Sequence, residues 1–166
     1  EYASRVDDQT ILSSLADALK RFHSIKIAPD YAESIDSKIN RVRYNISHHR
    51  LRKDIYFKGG PRKGNADLSR ILGTIPADEG SVLTHGDFNL SNLLFDETGV
   101  CAYLDLAEAG FGDPYQDFST LWASIEACVG NESIALDLLR LVLVRYGISS
   151  IDMDKIRFFR LLNELL

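Results

Sequence analysis

Cysteine, histidine and long apolar runs are all scarce in this sequence, and each scarcity removes a class of explanation. Two cysteines among 166 residues, Cys101 and Cys128, cannot build a disulfide framework and have no metal-ligand spacing. Two buried thiols in a reduced, cytoplasmic protein are the expectation. Four histidines, two of them the adjacent pair His48 and His49, are too few for a metallophosphoesterase built on His85, Gly86 and Asp87. Neighbours on a helix also point about 100° apart, so His48 and His49 cannot share one ion and read as surface residues. No apolar run approaches the roughly 18 residues of a membrane span, and no signal-peptide pattern opens the chain, so no membrane partner is expected. A net charge of −5 argues against general nucleic-acid affinity.

What is present is an ordinary soluble composition, 45% hydrophobic and 26% charged, in a length that suits one domain. The informative stretch is residues 81–118, SVLTHGDFNLSNLLFDETGVCAYLDLAEAGFGDPYQDF. At its centre Asp87 and Asn92 stand five positions apart, between two apolar runs. A turn at 96–99 then leads through a short strand to Asp105. Phosphoryl transfer needs these groups in this order. A substrate hydroxyl requires an acceptor for its proton, and metal ions bridging ATP phosphates require an amide oxygen and a carboxylate on adjoining strand ends. Asp87 is the candidate acceptor; Asn92 and Asp105 are the candidate Mg2+ ligands. A hairpin from Leu93 to Leu104 would return the chain to its starting edge and bring the two ligands together. His85 shapes the loop, and Asn89 and Ser91 serve either substrate or phosphate, or only loop polarity.

At these residues the sequence resembles the aminoglycoside phosphotransferase and choline kinase group of kinase-like enzymes. The matching pieces are VLTHGDFNLSNLLFD and CAYLDLAEAGFGDPYQDFSTLW, with a looser echo in LADALKRFHSI. The resemblance implies a protein-kinase-like fold, ATP and Mg2+, and a structural role for Asp117 as an acid that hydrogen-bonds the catalytic loop, beside His85. Gly86 stands where protein kinases have the Arg of H-R-D, and no A-P-E follows. A small hydroxylated substrate is therefore expected rather than a protein: an aminoglycoside, an amino sugar or a choline-like amine. Glu108 and Asp113, if they face the pocket, add negative charge that suits such a cation.

The rest of the chain reads as helices. Ile11, Leu15, Leu19 and Phe22 form one apolar stripe, with His23 packed near its end. Ile35, Ile39, Val42 and Ile46 form a second, and Leu68, Ile71 and Leu72 a short third closed by a left-handed cap at Gly73. Phe118, Leu121, Trp122, Ile125 and Val129 form the fourth, with Asp113 as its cap and Pro114 at its first position. Ile134, Leu138, Leu141 and Val142 give the fifth, stopped near Gly147. Ile156, Phe159 and Leu162 give the sixth, capped by Asp152.

Six basic residues against one acid lie between Arg41 and Lys58, a solvated helix face or a contact for an acidic surface or phosphate. The run FKGGPRKGN at 57–65 lacks both P-loop and kinase glycine-loop spacing and reads as a connection. No strand-rich segment with a glycine-rich loop and a Lys precedes the first helix. The fold expected is α+β, mostly α: residues 1–166 as the helical C-terminal lobe of a kinase-like enzyme, with a small β-hairpin beside the catalytic loop. The N-terminal nucleotide-clamping lobe is expected to lie outside this chain. Alone, the lobe should be inactive and tend to a homodimer through the surface left open. The rival is a truncated or pseudokinase-like interaction module, whose mark would be a damaged site.

Overall fold

The computed structural model describes residues 8–26, 35–50, 65–76 and 82–166. Their elements run α1 (Asp8–His23), α2 (Ile35–Ser47), α3 (Asn65–Gly73), β1 (Val82–Thr84), a 3-10 turn (Leu90–Asn92), β2 (Leu93–Asp96), β3 (Gly99–Tyr103), β4 (Gly110–Gly112), α4 (Tyr115–Val129), α5 (Glu132–Tyr146) and α6 (Met153–Leu165). The mostly helical α+β class read from the sequence is the class observed. The 57–64 part of the glycine-rich connection, and Arg52, Lys53 and Lys58 of the basic run, lie outside the described residues.

Helix α4 is central because its faces are apolar enough to be covered from two sides. Phe118, Leu121, Trp122 and Ile125 are all buried, and α4 packs against both α5 and α6, while α1 packs on α5. A fully buried Leu or Phe stabilises the fold by about 1.5–3 kcal/mol. The stripe therefore locks the helix that carries Asp117. Side chains set the helix ends. Asn131 accepts from the Ile134 amide at the start of α5, and Asp152 accepts from the Asp154 and Lys155 amides at the start of α6.

Four expectations need correction. Val129 is exposed and lies off the buried stripe of α4. In α5 the buried face is Ala135, Leu139, Val142 and Leu143, whereas Ile134 and Leu141 face solvent. The segment is apolar nearly all round, so periodicity cannot set its phase. Gly73 ends α3 without adopting the left-handed conformation. Cys101 and Cys128 are both exposed rather than buried.

Helix α1 backs the β2–β3 hairpin. The Val100 amide donates to Ser14 Oγ at 2.6 Å, Arg21 Nη2 donates to the Val100 carbonyl at 2.7 Å, and the Tyr103 hydroxyl donates to the Ala18 carbonyl at 2.9 Å. The antiparallel hairpin pairs Leu93 with Tyr103 and carries a bulge between Leu94 and Phe95. A second antiparallel ladder, not anticipated, pairs β1 with β4 from Val82 opposite Gly112 to Thr84 opposite Gly110. Together the two ladders fix both ends of residues 85–92.

Candidate active site

The chain leaves β1 at His85, and both peptide N–H groups at this bend point at one carboxylate. His85 N donates to Asp117 Oδ2 at 2.7 Å and Gly86 N donates to Asp117 Oδ1 at 2.8 Å. Asp117 is 0% exposed. A buried carboxylate without partners would be costly, and here a third donor, His23 Nε2, reaches Oδ2 at 3.0 Å. Because a carboxylate only accepts, Nε2 of His23 carries a proton. Its Nδ1 faces the Tyr146 hydroxyl at 2.8 Å. Burial raises the Tyr146 phenol above its usual range, and the Asp117 charge adds to the shift.

Gly86 has φ +85°, and a Cβ there would overlap the Glu108 carbonyl oxygen. No side chain fits, which is the physical reason this loop has Gly where protein kinases have Arg. The Gly86 carbonyl accepts from Gln116 Nε2 at 3.3 Å, and the Asp87 amide donates to His85 Nδ1 at 3.3 Å. His85 is itself fully buried, packed among the rings of Phe22, Phe88 and Tyr103. Every main-chain polar group from His85 N to Asp87 N that these bonds touch is held before Asp87 begins.

Asp87 and Asn92 are in direct contact. Asn92 Nδ2 donates at 3.0 Å to the Asp87 carbonyl and at 3.0 Å to Asp87 Oδ2. Asn89 caps the turn between them, its Oδ1 accepting from the amides of Ser91 and Asn92 and from the Ser91 hydroxyl. Asn89 Oδ1 and the Ser91 hydroxyl, whose roles the sequence left open, are thus engaged with each other. The Leu90 amide donates to Ser124 Oγ at 2.9 Å, tying the turn to α4.

The Leu104 amide donates to the Asn92 carbonyl at 2.8 Å, so Asn92 stands across the hairpin from Leu104, the residue before Asp105. Asp105 is exposed, with φ +55°. Among the described residues no donor reaches Asn92 Oδ1 or the Asp105 carboxylate, and no group of three or more His, Cys, Asp or Glu is placed to hold a metal. Oxygen-only donors, few in number, are the set that suits Mg2+, which completes its shell with water and substrate phosphates. The residues present fit that ion.

Glu108 and Asp113 do not offer free charge. Glu108 takes a two-pronged contact from Arg41 of α2, at 2.9 and 3.0 Å. That hydrogen-bonded guanidinium holds the Glu108 carboxyl below its usual range against the opposing effect of partial burial. Asp113 is a plain correction to the charge expected in a pocket: its Oδ2 pairs with Lys155 Nζ at 2.9 Å, with both side chains nearly buried. Its Oδ1 accepts from the Tyr115 amide. The expected cap is displaced by one residue: the N-cap position falls on Pro114, which has no side-chain acceptor to offer, α4 begins at Tyr115, and Asp113 bonds that first helical amide from one residue upstream. His23, Gln116 and Tyr146 were missed as parts of the site. Only His23 carried a signal, in the LADALKRFHSI echo.

A helical lobe behind a short hairpin, with the loop between β1 and β2 anchored on a helical Asp, is the architecture of protein-kinase-like phosphotransferases. Residues 1–159 match the phosphotransferase enzyme family, to which the chain belongs. An aminoglycoside 3'-phosphotransferase of Enterococcus faecalis is 29% identical over 171 aligned positions, covering 99% of this chain and 62% of the relative. One from Escherichia coli is 39% identical over 90 residues, covering 54% of this chain and 31% of the relative. The aminoglycoside phosphotransferase APH(3'')-Id of Streptomyces rimosus, solved in complex with ADP and streptomycin, superposes with a TM-score of 0.85. Its identity is 23%, and the match covers 95% of this chain and 62% of that one. The chain thus spans less than two thirds of the length of these relatives.

Proposed function

We propose that residues 1–166 are the catalytic-loop and substrate lobe of a kinase that moves the γ-phosphoryl group of ATP to a hydroxyl of an aminoglycoside. The clamp on the nucleotide belongs to sequence outside these residues. The observation that carries this reading is the Asp87–Asn92 contact, with Asp105 one residue beyond the Leu104 that pairs with Asn92. The names of the relatives and the ADP and streptomycin bound to a structural neighbour support the nucleotide and the substrate class.

In this mechanism Asn92 Nδ2 occupies Oδ2 of Asp87, which leaves Oδ1 to take the proton of the attacking hydroxyl. As that O–H bond breaks, the hydroxyl oxygen bonds the γ-phosphorus and the bond to the bridging oxygen of ADP breaks on the opposite side. Asn92 Oδ1 and Asp105 would hold Mg2+, which when bound neutralises charge on the transferring group. Asp117 and His23 keep the loop in place, and His85 accepts from the Asp87 amide. The reaction is assigned to the cytoplasm, where ATP is abundant, in keeping with two free cysteines. Among the described residues no helix is long and apolar enough to cross a membrane. The 166 residues without the clamp are expected to be silent and to associate with themselves.

The test is phosphotransfer from radiolabelled ATP by the full-length protein with Mg2+, offered streptomycin, gentamicin, simple amino sugars, choline and a protein mixture. Label on an aminoglycoside is the expected result. Label confined to protein or choline, or none anywhere, overturns the reading.

A further inference from the structure

A charged side chain that the proposed chemistry does not use is connected to it through one amide. Lys38, on α2, is 5% exposed, a degree of burial that lysine almost never has without a partner. Its Nζ donates to Gln116 Oε1 at 2.7 Å. An ammonium has donors only, so it dictates which way round the Gln116 amide sits. The oxygen must face Lys38, and the nitrogen is turned to the Gly86 carbonyl. That carbonyl belongs to the peptide joining Gly86 to Asp87. Gln116 and Asp117, consecutive on α4, therefore hold Gly86 by its carbonyl and its N–H respectively. Arg41, one turn along α2 from Lys38, reaches Glu108, whose main chain fills the space over the Gly86 Cα. One face of α2 thus grips the residue before Asp87 from two sides.

We propose that Lys38 is a positioning residue for the phosphoryl transfer described above: acting through the Gln116 amide, it fixes the plane of the Gly86–Asp87 peptide and with it the carboxylate of Asp87. Remove the ammonium and the amide is held only at its nitrogen end, by the longer 3.3 Å bond to the Gly86 carbonyl, so its plane is no longer fixed from both sides. The inference rests on the kinase reading and adds α2 to the groups that aim the base.

The test uses the full-length enzyme, ATP, Mg2+ and whichever aminoglycoside it turns over fastest. A misplacement of about 1 Å costs about 100-fold in rate, so Lys38→Met should lower kcat by about 10- to 100-fold. KM for ATP should stay within about twofold and Tm near wild type, with Lys38→Arg, which keeps a donor, recovering much of the loss. Gln116→Glu guards against a folding defect. It gives Lys38 an ion pair yet has no N–H for Gly86, so it should fold well and still lose kcat. In a Gln116→Leu background Lys38→Met should add little, since groups acting as one chain are not additive. Wild-type kcat in Lys38→Met or Gln116→Glu, or fully multiplicative losses in the double variant, would overturn the proposal. An Asp87→Asn control that keeps its turnover would instead overturn the kinase reading itself.

Discussion

Asn92 holds Asp87 from the side, one amide nitrogen donating to both the carbonyl and Oδ2 of the same residue. The two roles proposed for this loop, base and metal ligand, therefore share a hydrogen bond while keeping separate oxygens. Asp87→Asn in the full-length enzyme should lower kcat by about 100- to 10,000-fold, the usual cost of a positioned base, with little change in nucleotide affinity. Asp105→Ala should weaken binding of the Mg2+ nucleotide and shift the Mg2+ dependence of turnover. Steady-state kinetics with calorimetry of nucleotide binding would separate the two, and near-normal turnover in both would remove the assignment.

Asp117 accepts three donors with no solvent to replace it. Asp117→Ala strands the His85 and Gly86 amides and the His23 ring. Each buried donor left without an acceptor costs about 1–3 kcal/mol, so the variant should unfold at markedly lower urea concentration than wild type. A midpoint unchanged from wild type would mean that water or another residue satisfies the bend.

The parts of this architecture that could be read from the sequence are those where one local rule suffices. Phe118, Leu121, Trp122 and Ile125 keep helical spacing on a helix covered from two sides, and they are buried. The short turn at 96–99 forces β2 back along β3, so the placement of Asn92 across from Leu104 follows from loop length. What escaped depends on partners far along the chain. Asp113 is neutralised by Lys155, 42 positions later, and Lys38 reaches Gln116 78 positions later. The β1–β4 ladder escaped because Gly-Phe-Gly is too short and too poor in side chains to alternate.

The Arg41–Glu108 pair gives a pH dependence with a defined sign. Arg41 depresses the folded Glu108 carboxyl, so the pair stabilises the fold above the unfolded value of about 4.3 and is lost as pH falls through the lower folded value. Both side chains are about 40% exposed, and solvent screening limits the contribution to under about 1 kcal/mol. In urea titrations, wild type should exceed Arg41→Gln in stability near neutral pH. The gap should close progressively as pH falls below about 4.3. A gap that widened in acid would show that Arg41 acts through another partner.

Gly86→Ala tests whether the loop needs glycine for its space as well as for its backbone. At φ +85° an L side chain is strained, and the new Cβ would meet the carbonyl carbon and oxygen and the Cβ of Glu108. Left-handed strain alone costs about 1–2 kcal/mol. The overlap is mainly with main chain, so it cannot be relieved by a rotamer change and must move either Gly86 or the 105–108 segment. The first movement shifts the peptide that leads into Asp87, and the second shifts the segment that begins at Asp105. The expected outcome is a folded protein of reduced Tm whose kcat falls further than its stability, because the displaced residue immediately precedes the proposed base and the segment it strikes follows the proposed metal ligand by three residues. Gly147→Ala is the comparison: that glycine also has positive φ, but with no atom near its would-be Cβ, so it should lose Tm with kcat intact. Equal losses of kcat in the two variants would show that backbone strain, and not the contact with Glu108, governs the loop.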